Sequence, residues 1–246
     1  MNDWLPILAL GGVVFIAAAT QRVAGMGFAL VASPFLVALL GPFDGVLVVN
    51  VFGALTSGAI LITVWRRVEY KKIGLLLIPA AIATVPGALV AQLVPSAVLS
   101  TVIGALVILA LLGGIYASDS VRMMGRGGAV ATGAVSGFMS VTAGVGGPAI
   151  SAYAIATRWP HPAFAASVQL YFFSLGAISL AAKRAFPILA WQEWAACGVS
   201  LIIGIVAGHL LARFVKPRGA RVLVMSLAFA GAGVIITKGM IELLAS

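Results

Sequence analysis

Charge of either sign is scarce in this chain, and acid above all: its 246 residues include six carboxylates, and charged side chains make up only 9%. Asp3, Asp44, Glu69, Asp119, Glu193 and Glu242 all fall between apolar segments or at their ends. None is left inside a segment for general acid–base work or for carrying a proton. One cysteine, Cys197, excludes an intrachain disulfide. Two histidines, His161 and His209, are too few and too far apart in sequence for a metal-ligand constellation. No Ser–His pairing suggests a nucleophile. The chain is therefore not expected to be an enzyme, and no metal or cofactor is expected.

What the chain has in abundance is apolar length. It is 62% hydrophobic, with a mean hydropathy of +1.17, far outside the range of a soluble domain. Uncharged runs cover 4–21, 23–43, 45–65, 73–118, 127–157, 159–182, 194–212 and 222–237. A spanning helix needs about 20 apolar residues. The run from Ile73 therefore holds two, with Leu93-Val94-Pro95-Ser96 as the turn. The first run lacks a small-residue cleavage site and is read as retained structure. Trp4, Trp65, Trp159, Trp191 and Trp194 stand at segment ends, where an indole prefers the headgroup level. The net charge of +9 is concentrated in loops, which argues for membrane topology and against a nucleic-acid partner. The expected setting is the inner membrane, crossed several times.

The chain also repeats itself. Val23-Ala24-Gly25-Met26-Gly27-Phe28 returns 119 residues later as Thr142-Ala143-Gly144-Val145-Gly146-Gly147. At the same offset Gly41-Pro42 falls on Pro160-His161, and Asn50 falls on Gln169. With a two-residue drift, Gly87 to Gln92 matches Gly208 to Arg213. Paired helix breaks in the two halves of a duplicated membrane protein point to a transporter's binding site. The fold expected is an all-α polytopic membrane protein, a single transporter domain over 1–246. Repeat 1 covers 5–117 and repeat 2 covers 127–241, with five segments each. They are 5–20, 27–40, 46–65, 73–93 and 97–116, then 128–141, 147–157, 163–182, 194–212 and 222–240.

The first two pieces of each half are short, so each pair is either a hairpin that returns to its own side or a broken helix that crosses. Under the hairpin reading twelve of the basic residues fall inside and three, Lys183, Arg184 and Lys238, outside. Crossing helices give nine against five and strand Arg22 in the membrane. The positive-inside rule selects the hairpins. An odd number of crossings per repeat then inverts the second copy relative to the first. The loops at 66–72, 119–126 and 213–221 are expected inside, with both termini outside.

Gly25-Met26-Gly27 leading to Ser33-Pro34, Ser136-Gly137-Phe138 leading through Gly144-Val145-Gly146-Gly147-Pro148, and Gly204 with Gly208 resemble the sulfite exporter TauE/SafE family of membrane transporters. That family also contains permeases linked to toluene sulfonate uptake. The resemblance implies movement, chiefly export, of a small sulfur-containing anion such as sulfite, sulfoacetate or another organosulfonate. A departure is the first motif, where Phe28 and Ala29 follow Gly27 in place of a fuller glycine run. An anion channel, or a carrier of another small carboxylate or oxyanion, is the alternative.

The residues support an anion independently. A helix that begins inside the membrane has unpartnered N–H groups and about half a positive charge at its start. Glycine lets a substrate approach that backbone. Gly25, Gly27 and Phe28 in one repeat, and Gly144, Gly146 and Gly147 in the other, are the candidate binding residues. Tight helix packing is the competing role for such glycines, and it is preferred for Gly204 and Gly208. Asn50 and Gln169 are candidate amide donors to the anion, against a role in interhelical hydrogen bonds. Arg22 is either the counter-charge of the substrate or an ordinary inside-positive residue. Thr56, Ser57, Ser136, Ser140, Thr142 and Ser151 are weaker candidates for the path. The partners expected are a small anion and the lipid bilayer; a homodimer is one option for the assembly.

Overall fold

The computed structural model describes residues 4–24, 27–116, 125–212, 214 and 217–244. Gly25, Met26, the segment 117–124, Arg213 and Lys216 lie outside the described residues. So does most of the expected inner loop that contains Asp119 and Arg122. Among the described residues ten α-helices follow in order: α1 (Trp4–Ala24), α2 (Phe28–Leu40), α3 (Pro42–Val64), α4 (Tyr70–Leu93), α5 (Ser96–Tyr116), α6 (Gly125–Ala143), α7 (Gly147–Ala156), α8 (His161–Lys183), α9 (Trp191–Leu211) and α10 (Pro217–Leu244), with one 3-10 turn, Trp65–Arg67, between α3 and α4. No strand occurs among the described residues. Six helical stretches are long and apolar enough to cross a membrane. The protein is thus an all-helical, multi-pass membrane protein. In a bilayer every backbone polar group must find a partner within the protein, and a helix provides that along its own length.

Punctuation in the sequence sets the helix ends. Gly41 takes φ +88° between α2 and α3, a left-handed value that suits glycine, and Pro42 follows at the first position of α3, where its missing N–H costs nothing. Gly144 takes φ +74° and its N–H bonds the Ser140 carbonyl at 2.9 Å, which closes α6 with a left-handed glycine cap. The second and seventh helices have 13 and 10 residues, about 20 and 15 Å at 1.5 Å per residue. Neither spans a hydrocarbon core of about 30 Å.

Small residues set the helix pairings. Gly204 and Gly208 of α9 lie against the carbonyls of Phe15 and Ala19 in α1, while Gly133 and Gly137 of α6 lie against those of Leu76 and Ala80 in α4. Residue numbers rise together in both pairs, so α1 runs parallel to α9 and α4 parallel to α6. Without a hydrophobic drive between helices in lipid, such close backbone approach supplies the packing energy. The faces left over are apolar and exposed, as at Ile62, Ile78, Ile82, Leu89, Ile202 and Ile203, and suit contact with lipid.

Two contacts fix which helix ends lie together. At one end Trp159 Nε1 donates to Glu69 Oε1 at 3.1 Å, and the Lys72 ammonium lies 4.7 Å from the Trp159 ring centre. Since α4 and α6 begin at that end, α7 returns to the end from which α6 started. Glu69 also pairs with Lys72 at 2.8 Å. The Lys72 contact holds its carboxyl below the ordinary range, partly opposed by desolvation and helped by the Trp159 N–H. At the other end Gln92 Nε2 donates to the Lys183 carbonyl at 2.8 Å, and the Lys183 ammonium lies 4.7 Å from the Phe43 ring centre. With α1 parallel to α9, α2 likewise returns to the end from which α1 started.

The tryptophans divide into two groups. Trp4, Trp65 and Trp191 are exposed, whereas Trp159 is buried, and Trp194 packs between Phe52 and Phe186 with centroids 5.5 Å from each. The last two serve helix packing: Trp159 ties the chain after α7 to Glu69 before α4, and Trp194 fills the space between the middle of α3 and the segment joining α8 to α9.

Candidate functional site

A cavity of about 50 Å³ lies where the two short helices begin. At roughly 10–15 Å³ of such volume per water molecule, it has room for about four waters or one small oxyanion. Gly27, Phe28, Ala29 and Leu30 line it from the start of α2, and Gly144, Val145 and Gly147 from the break between α6 and α7. Asn50, Gly53 and Ser57 of α3, with Phe172 and Gly176 of α8, form much of the remaining wall.

The electrostatics of this space come from backbone and amides. The N-cap of α2, Gly27, makes no side-chain cap, and the first helical bond is Val31 N–H to Gly27 C=O at 3.0 Å. The N–H groups of Phe28, Ala29 and Leu30 are therefore without helical partners and give the cavity the positive end of a helix dipole. The seventh helix adds Gly147, also behind an uncapped glycine, but Pro148 follows with no N–H to offer. Asn50 is 5% exposed, and its Nδ2 has no hydrogen-bond partner. A buried amide donor left unpaired costs about 1–3 kcal/mol, so its presence at a cavity points to an occupant. No ionisable side chain lines the cavity among the described residues.

Behind the wall a polar network ties the halves together. Gln21 Nε2 donates to Ser57 Oγ at 2.9 Å and to Gln169 Oε1 at 3.2 Å, and Gln169 Nε2 reaches the Ala165 carbonyl at 3.3 Å. The Ser33 hydroxyl donates to the Ala143 carbonyl, which links α2 to the last turn of α6.

The structure brings Gly27, Phe28, Asn50, Gly144 and Gly147 to one cavity and places Gln169 one hydrogen bond behind Gln21. Gly25 lies outside the described residues. Gly146 is beside the cavity, but a Cβ there would come within 2.7 Å of the Ser136 carbonyl and hydroxyl, and Ser136 Oγ bonds the Gly146 carbonyl at 2.8 Å. Arg22 is not among the lining residues. Its guanidinium meets His209 Nδ1 at 3.0 Å, and because arginine can only donate, that nitrogen accepts and the ring proton sits on Nε2. Sequence reasoning missed Gln21, which is 4% exposed and lines the cavity. Its signal in the sequence is an amide at the end of an uncharged run, beside the charge of Arg22.

These contacts separate the two motif glycines. A Cβ at Gly27 would meet Val224 and the Thr20 carbonyl at 3.6–3.7 Å, an ordinary contact, and its φ of 169° is extended backbone open to any residue. Gly27→Ala is expected to leave thermal stability within about 0.5 kcal/mol, whereas Gly146→Leu overpacks the α6–α7 turn and should cost about 1–3 kcal/mol or more. Melting of both variants in detergent checks this; equal stability would mean that the Ser136 contact yields freely.

No curated protein and no solved structure matches the chain. Residues 10–235, most of its length, match the family described as Sulfite exporter TauE/SafE. With a break in each half and both breaks at one buried cavity, the chain belongs to the sulfite exporter TauE/SafE family of membrane transporters.

Proposed function

We propose that the protein is a secondary transporter that exports small sulfur-containing anions, sulfite or an organosulfonate such as sulfoacetate, across the inner membrane. The observation that carries this reading is the unpaired Asn50 Nδ2 in the same cavity as the uncapped start of α2. Donors face the space, and no acid lines it among the described residues. Its volume suits an ion of sulfite size, so a larger sulfonate requires the cavity to widen during the cycle.

The two halves act as inverted repeats, 5–117 and 127–241, that rock about the cavity. Several features support this. Each half runs in the order long, short, long, long, long. The pairing of α1 with α9 corresponds to that of α6 with α4 when the halves are exchanged, and the two short helices return to opposite ends. The end with Arg66, Arg67, Lys71, Lys72 and Arg158 is then cytoplasmic.

Radiolabelled sulfite, sulfoacetate, methanesulfonate and acetate, offered to proteoliposomes of defined orientation, test the reading. Saturable flux of the sulfur anions with trans-stimulation is expected, while single-channel currents would establish a pore instead. Topology is tested with single cysteines in a Cys197→Ala background. An impermeant reagent outside should miss cysteines at Tyr70 and Gly219 alike, and labelling of Gly219 alone would defeat the inverted arrangement.

A further inference from the structure

Three buried polar atoms without hydrogen-bond partners lie along one seam: Asn50 Nδ2, Ser179 Oγ and Lys183 Nζ. Asn50 is on α3, and the others are on α8. Gly176, which lines the cavity, Ser179 and Lys183 follow the i, i+3, i+7 spacing that places residues on one helix face. On α3, Asn50 and Phe43 are likewise seven apart. Seven residues rise about 10 Å, so the column runs from the cavity to the far end of α8, where the Lys183 ammonium meets the Phe43 ring.

Lys183 is 2% exposed and Ser179 fully buried. An ammonium so deeply placed is costly unless something pairs with it. Asp44 attracts the ammonium electrostatically but accepts no hydrogen bond from it. A role as a simple charge on the α8 C-terminus would bring the ammonium to a carbonyl, and it has no such acceptor. Just beyond, a hollow of about 280 Å³ is lined by Phe43, Gln92 and Ser96. Phe43 carries the ammonium and Gln92 holds the Lys183 carbonyl, so two lining residues of the hollow also touch Lys183.

We propose that the α3–α8 seam is a passage for the anion and that Lys183 forms a second, transient anion site at its end. The anion leaves the Asn50 amide, passes the Ser179 hydroxyl and pairs with the Lys183 ammonium before Phe43 releases it into the hollow. The ligand class is a small oxyanion. Every free group along the column can donate a hydrogen bond, and an oxyanion accepts them. This inference rests on reading the central cavity as an anion site.

The test measures radiolabelled sulfite transport from each face of oriented proteoliposomes. Lys183→Gln should raise KM at the face nearest Lys183 at least tenfold and change KM at the opposite face less than twofold, and Lys183→Arg should recover most of the loss. In the Cys197→Ala background, Lys183→Cys should be inactive from that face. An aminoethyl thiosulfonate reagent, which restores an ammonium, should reactivate it, and the sulfonatoethyl analogue should not. Lys183→Met serves if the glutamine variant folds poorly. Unchanged KM at both faces, or an equal rise at both, overturns the second site while transport by the wild-type protein leaves the central one standing. If the wild-type protein moves neither sulfite nor any sulfonate, the reading of the central cavity fails first, and the second site with it.

Discussion

Asn50→Leu is expected to lower transport about ten- to 150-fold without lowering stability. The range follows from a hydrogen bond to a charged ligand, worth about 1.5–3 kcal/mol, converted at 1.4 kcal/mol per tenfold. The sign on stability follows from the unpaired Nδ2. Leucine has a similar size, and the substitution takes a buried donor away without breaking a hydrogen bond made by that nitrogen. The melting temperature should therefore hold or rise. Gln169→Leu gives the contrast, since it breaks the 3.2 Å bond from Gln21 and should destabilise the protein by about 1 kcal/mol. Measuring KM and thermal melting on both variants separates the roles. Full transport by Asn50→Leu would show that its amide does not touch the anion.

The second expected result concerns the driving force. With no carboxylate or histidine lining the cavity among the described residues, nothing there is placed to take a proton with the anion. We predict electrogenic flux, in which a monovalent anion leaving a negative interior gains about 2.3 kcal/mol per 100 mV. That supports a gradient of roughly fifty-fold. A valinomycin potential imposed at equal pH should drive sulfite or methanesulfonate flux, with the rate rising as the interior is made more negative. His209 is bound to Arg22 outside the cavity lining, so His209→Ala should leave the potential response intact. Flux that ignores the potential, follows a pH gradient and loses that response in His209→Ala would require histidine-linked proton coupling instead.

The helices and their breaks were legible in the sequence because each depends on short-range physics. Apolar length sets the segments, and the pieces expected at 27–40 and 147–157 are found as α2 and α7 almost to the residue. Gly41 and Gly144 stop a helix by taking positive φ values that glycine adopts readily, and Pro42 starts the next one, whereas Gly11-Gly12 and Pro86-Gly87 stay inside α1 and α4. Charge asymmetry around the hairpins could be counted from the chain alone.

Which side chain meets which was decided only in three dimensions. Arg22 and Gln21 are neighbours in sequence, yet a helix turns about 100° between them, so one faces His209 and the other the cavity. Gly27 and Gly146 match at the repeat offset, but Val224 stands beside one and Ser136 beside the other, and no local pattern records what a third helix brings near. Lys183 read as an outer loop charge, since hydropathy scores it only by its place at a segment end. Its burial exists because the start of α3 folds over the end of α8 and brings Phe43 onto its ammonium. Membrane crossing, segments and breaks follow from composition and short-range patterns along the chain; the cavity and the donors that face it arise only on folding, because they depend on contacts between residues far apart in the chain.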